Sequence, residues 1–337
     1  MKSISIFNAV LRRYICSNKC FYASSNCYST EGSSKIKAET LFIKPEVQNI
    51  LTKITGLDLG KVFAPRNSQL KPHQYEFVTE ERLKELQEKA KAKAFTKLQM
   101  PPVMSIREPI DEILSKDPEL QGYLKEKTVF TDISTNITNR DRIITVREVD
   151  GTLRKANWEE RERMIQIFFP LPGRSLEVPK LFESPNLERL LDSHEYIFVL
   201  DSACAQFEPD APDYHRVTAA TYEHIRRMGM FNVVRSTRHF GPMAFYFALR
   251  KEIDDLLVDM IKHNLISDAS DTVKLLYIVN PELKTSSSAD SNDIDIIQNY
   301  IKNASTKKGG LELALQTFFE QLQTKESQEA GMTEAIA

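Results

Sequence analysis

The length, composition and charge of this chain exclude several classes of protein. Its 337 residues are 41% hydrophobic and 27% charged, enough to bury a core in more than one compact part. Only 11 residues are glycine, which disfavours glycine-rich phosphate loops and turn-dense all-β folds. No apolar run approaches the ~20 residues that a bilayer span needs, so we expect no membrane partner.

The first thirty residues predict a mitochondrial transit peptide. They contain no Asp or Glu, are rich in Ser, and place apolar residues at helical spacing beside Arg12 and Arg13. A secretory signal and a plain disordered tail are the competing interpretations. Residues 1–30 contribute +4 to a formal charge of -2, so the remainder carries -2 - 4 = -6. A protein this acidic does not coat RNA non-specifically, and any contact with nucleic acid has to be local.

Residues 31–125 are predicted to form an extended and partly helical N-terminal region. Pro45 suits a first helical position and Gly56 a helix end. After an extended connector at 60–78, Thr79 is expected to cap a charged helix of about residues 80–99, which the following prolines terminate. Lysines crowd its second half. They are either solvated residues that suit the negative end of the helix dipole, or phosphate contacts; these candidates are Lys89, Lys91, Lys93 and Lys97.

Residues 126–180 contain the one convincing β pattern, a hairpin followed by a helix. The strings VFTDIS (129–134) and RIITVREV (142–149) alternate apolar and polar residues, and Asp150-Gly151 has hairpin-turn chemistry. Asn157 is expected to cap the helix, with Glu160 in the capping-box position. Two basic residues of the hairpin, Arg154 and Lys155, are candidate RNA or protein contacts, although a charged, solvent-facing sheet is at least as good an interpretation.

Residues 181–324 predict a helical domain of antiparallel hairpins, before a tail at 325–337 that is expected to be disordered. Apolar residues recur at three- and four-residue spacing, and the connectors are short. The predicted fold is therefore predominantly α-helical, of the α+β class, with a small central β element and extended N-terminal segments. The helices are expected at 187–206, 214–228, 240–250, 252–266, 271–279, 294–304 and 311–323.

The segment from His224 to Lys251, here called the basic segment, contains no Asp or Glu. Basic residues neutralise phosphate and planar rings stack on bases, so its composition suits nucleic acid, but it suits a basic protein interface equally. Its aromatic residues more often fill a core than stack on bases. Acids of the upstream string QFEPD (206–210) are expected internal counter-charges. The candidate contacts are Arg226, Arg227, Arg235, Arg238, His239, Arg250 and Lys251.

No catalytic, metal or cofactor site is predicted. The six histidines are scattered, no CxxC pair occurs, and no phosphate-loop pattern is complete. Cys204 lies on an apolar helical stripe and is expected to be a core thiol instead of a nucleophile. We therefore expect neither a cofactor nor a small-molecule substrate, although dispersed residues can still assemble an active site.

Several long strings resemble one family: TLRKANWEERERMIQIFFP (152–170), CAQFEPDAPDY (204–214) and VVRSTRHFGPMAFYF (233–247). They are similar to the animal mitochondrial small-subunit ribosomal proteins numbered twenty-two, over about residues 41–323. The resemblance implies a structural ribosomal protein of the mitochondrial matrix, with small-subunit rRNA and neighbouring ribosomal proteins as partners and no catalytic motif. A free helical adaptor or scaffold of the matrix is the alternative, and an unrecognised enzyme is less favoured.

Overall fold

A computed structural model describes residues 38–64, 75–123, 125–283 and 292–334. The predicted transit peptide at 1–30 lies outside these ranges. The chain divides into two compact units. A sheet unit comprises residues 108–178, and a helical body comprises the described residues of 38–107 and 179–334.

The first part of the helical body forms where local sequence signals start and stop helices. Pro45 is the first residue of α2, and Gly56, with a left-handed φ of 71°, follows its last residue. The side chain of Asp58 accepts backbone hydrogen bonds that begin α3, so the connector expected at 60–78 starts with a helix. Thr79 caps α4 as predicted. The four helices are α1 (Ala38–Phe42), α2 (Pro45–Thr55), α3 (Leu59–Phe63) and α4 (Glu80–Lys97).

The helices after residue 179 confirm the predicted, predominantly helical fold. One predicted helix is split, the last is extended, the helix expected at 271–279 begins at Ile266, and a short helix at Phe231–Val234 was not predicted. The helix expected at 187–206 is two helices, because the chain turns at His194, whose φ is 60°. The last helix continues through residues 325–334, where the sequence predicts a disordered tail. The helix of the sheet unit is numbered α5 (Trp158–Phe168). The helices after residue 179 are α6 (Asn186–Asp192), α7 (Tyr196–Gln206), α8 (Pro212–Met228), α9 (Phe231–Val234), α10 (Phe240–Arg250), α11 (Asp254–Lys262), α12 (Ile266–Val279), α13 (Asp293–Asn303) and α14 (Lys308–Glu334).

The core of the helical body is organised around α10, which packs against α2 and α12. Eight of its eleven residues are buried, because its sequence is apolar on nearly every side. A buried carboxylate ties later helices to this core. Asp254, at the start of α11, accepts hydrogen bonds from the Tyr300 hydroxyl (2.6 Å) and from the backbone N–H groups of Thr306 and Lys307 (2.9 Å each). It thereby satisfies donors of the connector that enters α14.

The sheet unit contains a four-stranded antiparallel sheet in the order β1-β4-β3-β2 and the capped helix α5. The strands are β1 (Ile113–Lys116), β2 (Thr128–Thr131), β3 (Ile144–Arg147) and β4 (Thr152–Lys155), and α5 spans Trp158–Phe168. Gly151 turns β3 into β4 with a φ of 87°, and a Cβ there would lie 2.1 Å from the Asp117 carbonyl oxygen. The predicted capping box between Asn157 and Glu160 is present. Strand β1 was not predicted from the sequence.

Candidate nucleic-acid interface

The basic segment is built into the core of the helical body. It comprises the last turn of α8, the short helix α9, and α10. Four of its aromatic residues are at most 2% exposed: Phe231, Phe240, Phe245 and Phe247. Tyr246 is partly buried, and its hydroxyl donates to Glu223 (3.3 Å). The rings are therefore core residues, and their geometry offers no surface on which a row of bases could stack.

Two arginines of the segment form internal ion pairs, and a histidine is hydrogen-bonded to one of the same acids. Arg235 Nη1 lies 3.2 Å from a carboxylate oxygen of Asp268 on α12, and the Arg235 side chain is 12% exposed. Arg238 pairs with Asp201 on α7 (2.6 Å). His239 Nε2 donates to the same carboxylate (2.8 Å) and is fully buried. Burial raises the pKa of Asp268, opposed by the nearby Arg235 charge. These groups connect helices and present little charge to a partner.

The candidates at the ends of α8 and α10 form a surface network with two acids. Arg226 pairs with Glu223 one helical turn earlier (2.7 Å) and with Glu252 beyond α10. Arg250 pairs with Glu252 (3.3 Å) and donates to the Tyr246 hydroxyl (2.9 Å). Exposed pairs of this kind contribute only ~0–1 kcal/mol each to stability, so a stronger partner could compete for them.

Arg227 and Lys251 complete the predicted set. Lys251 forms an exposed ion pair with Glu282. Arg227 is exposed on α8, and within the described ranges it forms no ion pair. It is therefore the residue of the basic segment whose guanidinium is most available to a phosphate or an acidic protein surface.

A cleft of about 1020 Å³ lies beside these residues, but its charge does not suit an RNA groove. Four basic side chains line it, against six carboxylates. A phosphate backbone would meet net repulsion there. The basic members are Arg226, Arg227, Lys251 and Lys307, and the acidic members are Glu188, Asp192, Glu223, Glu252, Asp254 and Asp255.

The lysines of α4 are placed differently from the basic segment. Lys89, Lys93 and Lys97 follow one another at four-residue spacing and share a side of the helix, whereas Lys91 lies on another side. Lys89 is 3.9 Å from Glu85, and Lys97 lies over the Phe63 ring at 4.5 Å. In the described part of the chain, Lys91 and Lys93 are exposed and form no ion pair. They are the most available cations of this helix.

The hairpin candidates take part in ion pairs of the sheet unit. Arg154 bridges Glu148 (2.6 Å) and Glu160 (2.8 Å), and Lys155 pairs with Glu112 (2.6 Å). The hydrogen bond from Arg154 lowers the pKa of Glu160 to about 2. This network stabilises the junction between β4 and α5, so Arg154 has a structural use in the free protein.

Sequence reasoning found the basic residues but not their partners. Acids of QFEPD were expected as counter-charges, and Asp210 of that string lies 3.9 Å from Arg107. Two arginines of the basic segment also use acids outside the string: Arg235 pairs with Asp268, and Arg238 pairs with Asp201. These partners are 33 and 37 residues from their arginines, so no local spacing reveals them. The pair between Glu223 and Arg226 is at i,i+3 spacing, a signal that could have been used.

Other kinds of site find no support in the described residues. No group of three His, Cys, Asp or Glu side chains there could hold a metal ion. None of the helices described is both long enough and apolar enough to cross a bilayer. Burial raises the pKa of the Cys204 thiol, which disfavours the nucleophilic thiolate.

Comparison with known proteins identifies the family. The model of the family described as mitochondrial 28S ribosomal protein S22 matches residues 40–281. The small ribosomal subunit protein mS22 of Mus musculus is 44% identical over 292 residues, covering 86% of this chain and 81% of that relative, and mS22 of Bos taurus matches with the same figures. The chain belongs to the S22 family. The resemblance expected from its sequence is thereby confirmed, and both α4 and the basic segment lie inside the range matched by the S22 model.

Proposed function

We propose that this chain bridges small-subunit rRNA and neighbouring proteins in the mitochondrial ribosome, as a structural component of the small subunit. The observation that carries the proposal is the 44% identity, over 86% of the chain, to proteins named as small ribosomal subunit proteins. Membership of the family implies a structural, non-enzymatic role and a mitochondrial location. The helical fold without a metal cluster in its described residues is compatible with that role.

The distribution of charge supports a bridge with local contacts instead of a general RNA-binding surface. Most of the candidate cations are held by acids of the same chain. Among the described residues, the exposed candidates with no ion pair and no ring contact are Lys91, Lys93 and Arg227. Lys97 also lacks an ion pair but lies over the Phe63 ring. We assign rRNA contact to Lys91 and Lys93, and we assign protein contact to the mixed-charge cleft beside Arg227.

Sedimentation of mitochondrial lysate at high salt tests the proposed function. The tagged full chain should travel with the small subunit, because a structural component is held by many contacts at once. A chain found only in light fractions would contradict the proposal and favour the free adaptor of the matrix.

A further inference from the structure

The strand β2 lies at one end of the four-stranded sheet and, among the described residues, pairs with β3 alone. Its other side, here called the β2 edge, has no neighbouring strand there. The Asp132 N–H donates to the Ile143 carbonyl (3.1 Å), in the same register that joins the two strands. Hydrogen-bonded pairs alternate along an antiparallel ladder, so Phe130 and Thr128 also bond to β3.

The other two residues of β2 direct their backbone groups to the β2 edge. Val129 and Thr131 each present one N–H donor and one C=O acceptor there, and these groups have no hydrogen-bond partner within the described ranges. Residues two apart in a strand are separated by about 7 Å, so the edge carries donors and acceptors at the spacing of a second strand. This pattern of backbone groups is what an added β-strand recognises.

The two edges of the sheet differ in how well they are protected from pairing. Strand β1 pairs with β4 through an irregularity between Ile113 and Ser115, and it ends at the exposed Lys116. Irregular pairing and exposed lysine are devices that protect an edge strand. Strand β2 stays in register with β3 over all four of its residues, TVFT, which include no charged residue, Pro or Gly. The β2 edge is therefore the side of the sheet that is suited to accept a strand.

An exposed aromatic ring lies beside the β2 edge. Val129 packs with Val146 in the core of the sheet unit, so the neighbouring side chain of Phe130 lies on the opposite face of the sheet. Phe130 is 53% exposed, and its diagonal neighbour Ile143 is 66% exposed. A strand added to β2 would cover the Phe130 ring with alternate side chains of its own. Apolar or β-branched residues at those positions suit this contact.

The chemistry of the β2 edge favours polypeptide over RNA as its occupant. Phosphate oxygens only accept hydrogen bonds, so a phosphate backbone would leave the outward carbonyls of Val129 and Thr131 unpaired. The cation beside the strand, Lys127, is held by Glu160 (2.7 Å), and the carboxylate of Asp132 follows the strand. RNA would therefore find neither matching donors nor a free cation along β2.

We propose that an extended segment of a neighbouring small-subunit protein pairs with the β2 edge as a fifth strand of the sheet. Its backbone bonds to Val129 and Thr131, and its alternate side chains cover Phe130. This inference rests on the proposed function, because it places the partner in the same particle.

Hydrogen exchange at single amides tests the pairing without any substitution. In the free full-length chain, the outward N–H groups of Val129 and Thr131 should exchange quickly and that of Phe130 slowly, because only Phe130 bonds to β3. In purified small subunits, all three should exchange slowly. Lys116 is the control: the neighbouring Asp117 N–H donates to the Gly151 carbonyl, so the Lys116 N–H points outward from β1 and should exchange quickly in both states.

Three results of the exchange measurement would overturn the proposal. Slow exchange of Val129 and Thr131 in the free chain would show that the β2 edge is already covered without a partner. Fast exchange in the small subunit would show that no strand pairs with it. Equal protection of Lys116 in the small subunit would indicate general burial of the sheet instead of pairing at β2.

A photo-crosslinking residue in place of Phe130 identifies the occupant. After irradiation of purified small subunits, it should crosslink to another small-subunit protein, at a peptide with alternating apolar residues. Crosslinks to rRNA, to a second copy of this chain or to another segment of it, or none at all, would contradict the proposal.

Proline variants of the crosslinking chain test the backbone contact itself. Val129→Pro removes an outward N–H without removing a hydrogen bond to β3, and proline is tolerated at such edge positions. It should lower the crosslink yield at least about tenfold, because a hydrogen bond is lost and the ring occupies the place of the added strand. Lys116→Pro makes the same change at the other edge and should leave the yield unchanged. Equal yields would overturn the proposal.

Two controls keep these outcomes distinct. Trp158 fluorescence checks that the sheet unit of each variant is folded, and if Val129→Pro unfolds it, the exchange measurement on the unmodified chain still decides. If the unmodified chain is absent from the small-subunit fraction, the proposed function is wrong, and this inference with it. If it is present but the β2 edge stays unpaired, this inference alone is wrong.

Discussion

The basic segment and α4 carry similar numbers of cations, yet the structure uses them in opposite ways. In the basic segment, Arg235 and Arg238 reach acids on other helices, and the phenylalanines of the same segment fill the core. On α4, Lys91 and Lys93 are exposed and unpaired in the described structure. Local absence of acids therefore does not indicate a surface free to bind. A cation is available only where no acid from elsewhere in the fold reaches it.

Removing an aromatic ring from each region should give the largest difference in the free energy of unfolding. Phe245→Ala should lower the free energy of unfolding by about 3–5 kcal/mol, because Phe245 is fully buried and packs edge-on against Phe42. Phe95→Ala on α4 should cost less than about 1 kcal/mol, because that ring is 53% exposed. Urea denaturation followed by circular dichroism at 222 nm measures both. Equal costs would show that the two regions do not differ in packing.

Charge reversal within the basic segment compares an internal arginine with an exposed one. Arg238→Glu places a second carboxylate beside Asp201 and should destabilise the helical body by about 2–3 kcal/mol. The matched change Arg227→Glu should alter stability by less than about 0.5 kcal/mol. Thermal melts of the two variants provide the measurement. If the Arg238→Glu protein is stable but fails to join the ribosome, Arg238 contacts a ribosomal partner and is not needed for the fold.

Acid titration tests whether Arg154, like Arg235 and Arg238, stabilises the fold through an ion pair within the chain. The pKa of Glu160 is lowered to about 2 by Arg154, so this pair stabilises the sheet unit fully above the ordinary carboxyl pKa of ~4.5. That contribution is lost as the pH falls from ~4.5 towards 2. Trp158 is the single tryptophan and lies in this unit, so its fluorescence reports local unfolding. Glu160→Gln should flatten the acid dependence in this window, and an unchanged titration would contradict the assignment.

The exposed lysines should show the smallest effect on stability and a separate effect on assembly. Lys91→Glu with Lys93→Glu should change the unfolding free energy by less than about 0.5 kcal/mol, since neither lysine has an ion-pair partner in the described residues. The variant should be retained on the small subunit less well than the unmodified chain, and the difference should shrink as salt is raised, because salt weakens the phosphate contacts that only the unmodified chain makes. Sedimentation at two salt concentrations checks this. Equal retention of the variant and the unmodified chain would show that these lysines are not part of the rRNA interface.

The sequence could predict the elements whose signals are local. Pro45 and Gly56 bound α2, and Asn157 with Glu160 forms the capping box of α5, because each signal acts within a few residues. Strand β1 was missed because it has four residues, a register irregularity at Ile113/Ser115, and no alternating apolar pattern. The break at His194 was missed because apolar periodicity continues on both sides of it.

The candidate site was harder to predict because availability depends on tertiary contacts. The residue types that suit nucleic acid were all visible in the basic segment, but Asp201 and Asp268 approach them only in the folded chain. The apolar residues Leu83 and Leu86 of α4 were also visible, yet nothing in their spacing shows that their side chains are exposed. Long-range pairing and exposure are properties of the fold and not of any one segment.

Chemical modification of the chain, free and within purified small subunits, tests the central claim most directly. Acetylation of lysine and phenylglyoxal modification of arginine are read by mass spectrometry. In the free chain, Lys91 and Lys93 should react readily, while Arg235 and Arg238 should already be protected; assembly should then protect the two lysines and leave the two arginines unchanged. Arginines that react in the free chain and become protected only in the ribosome would contradict the account.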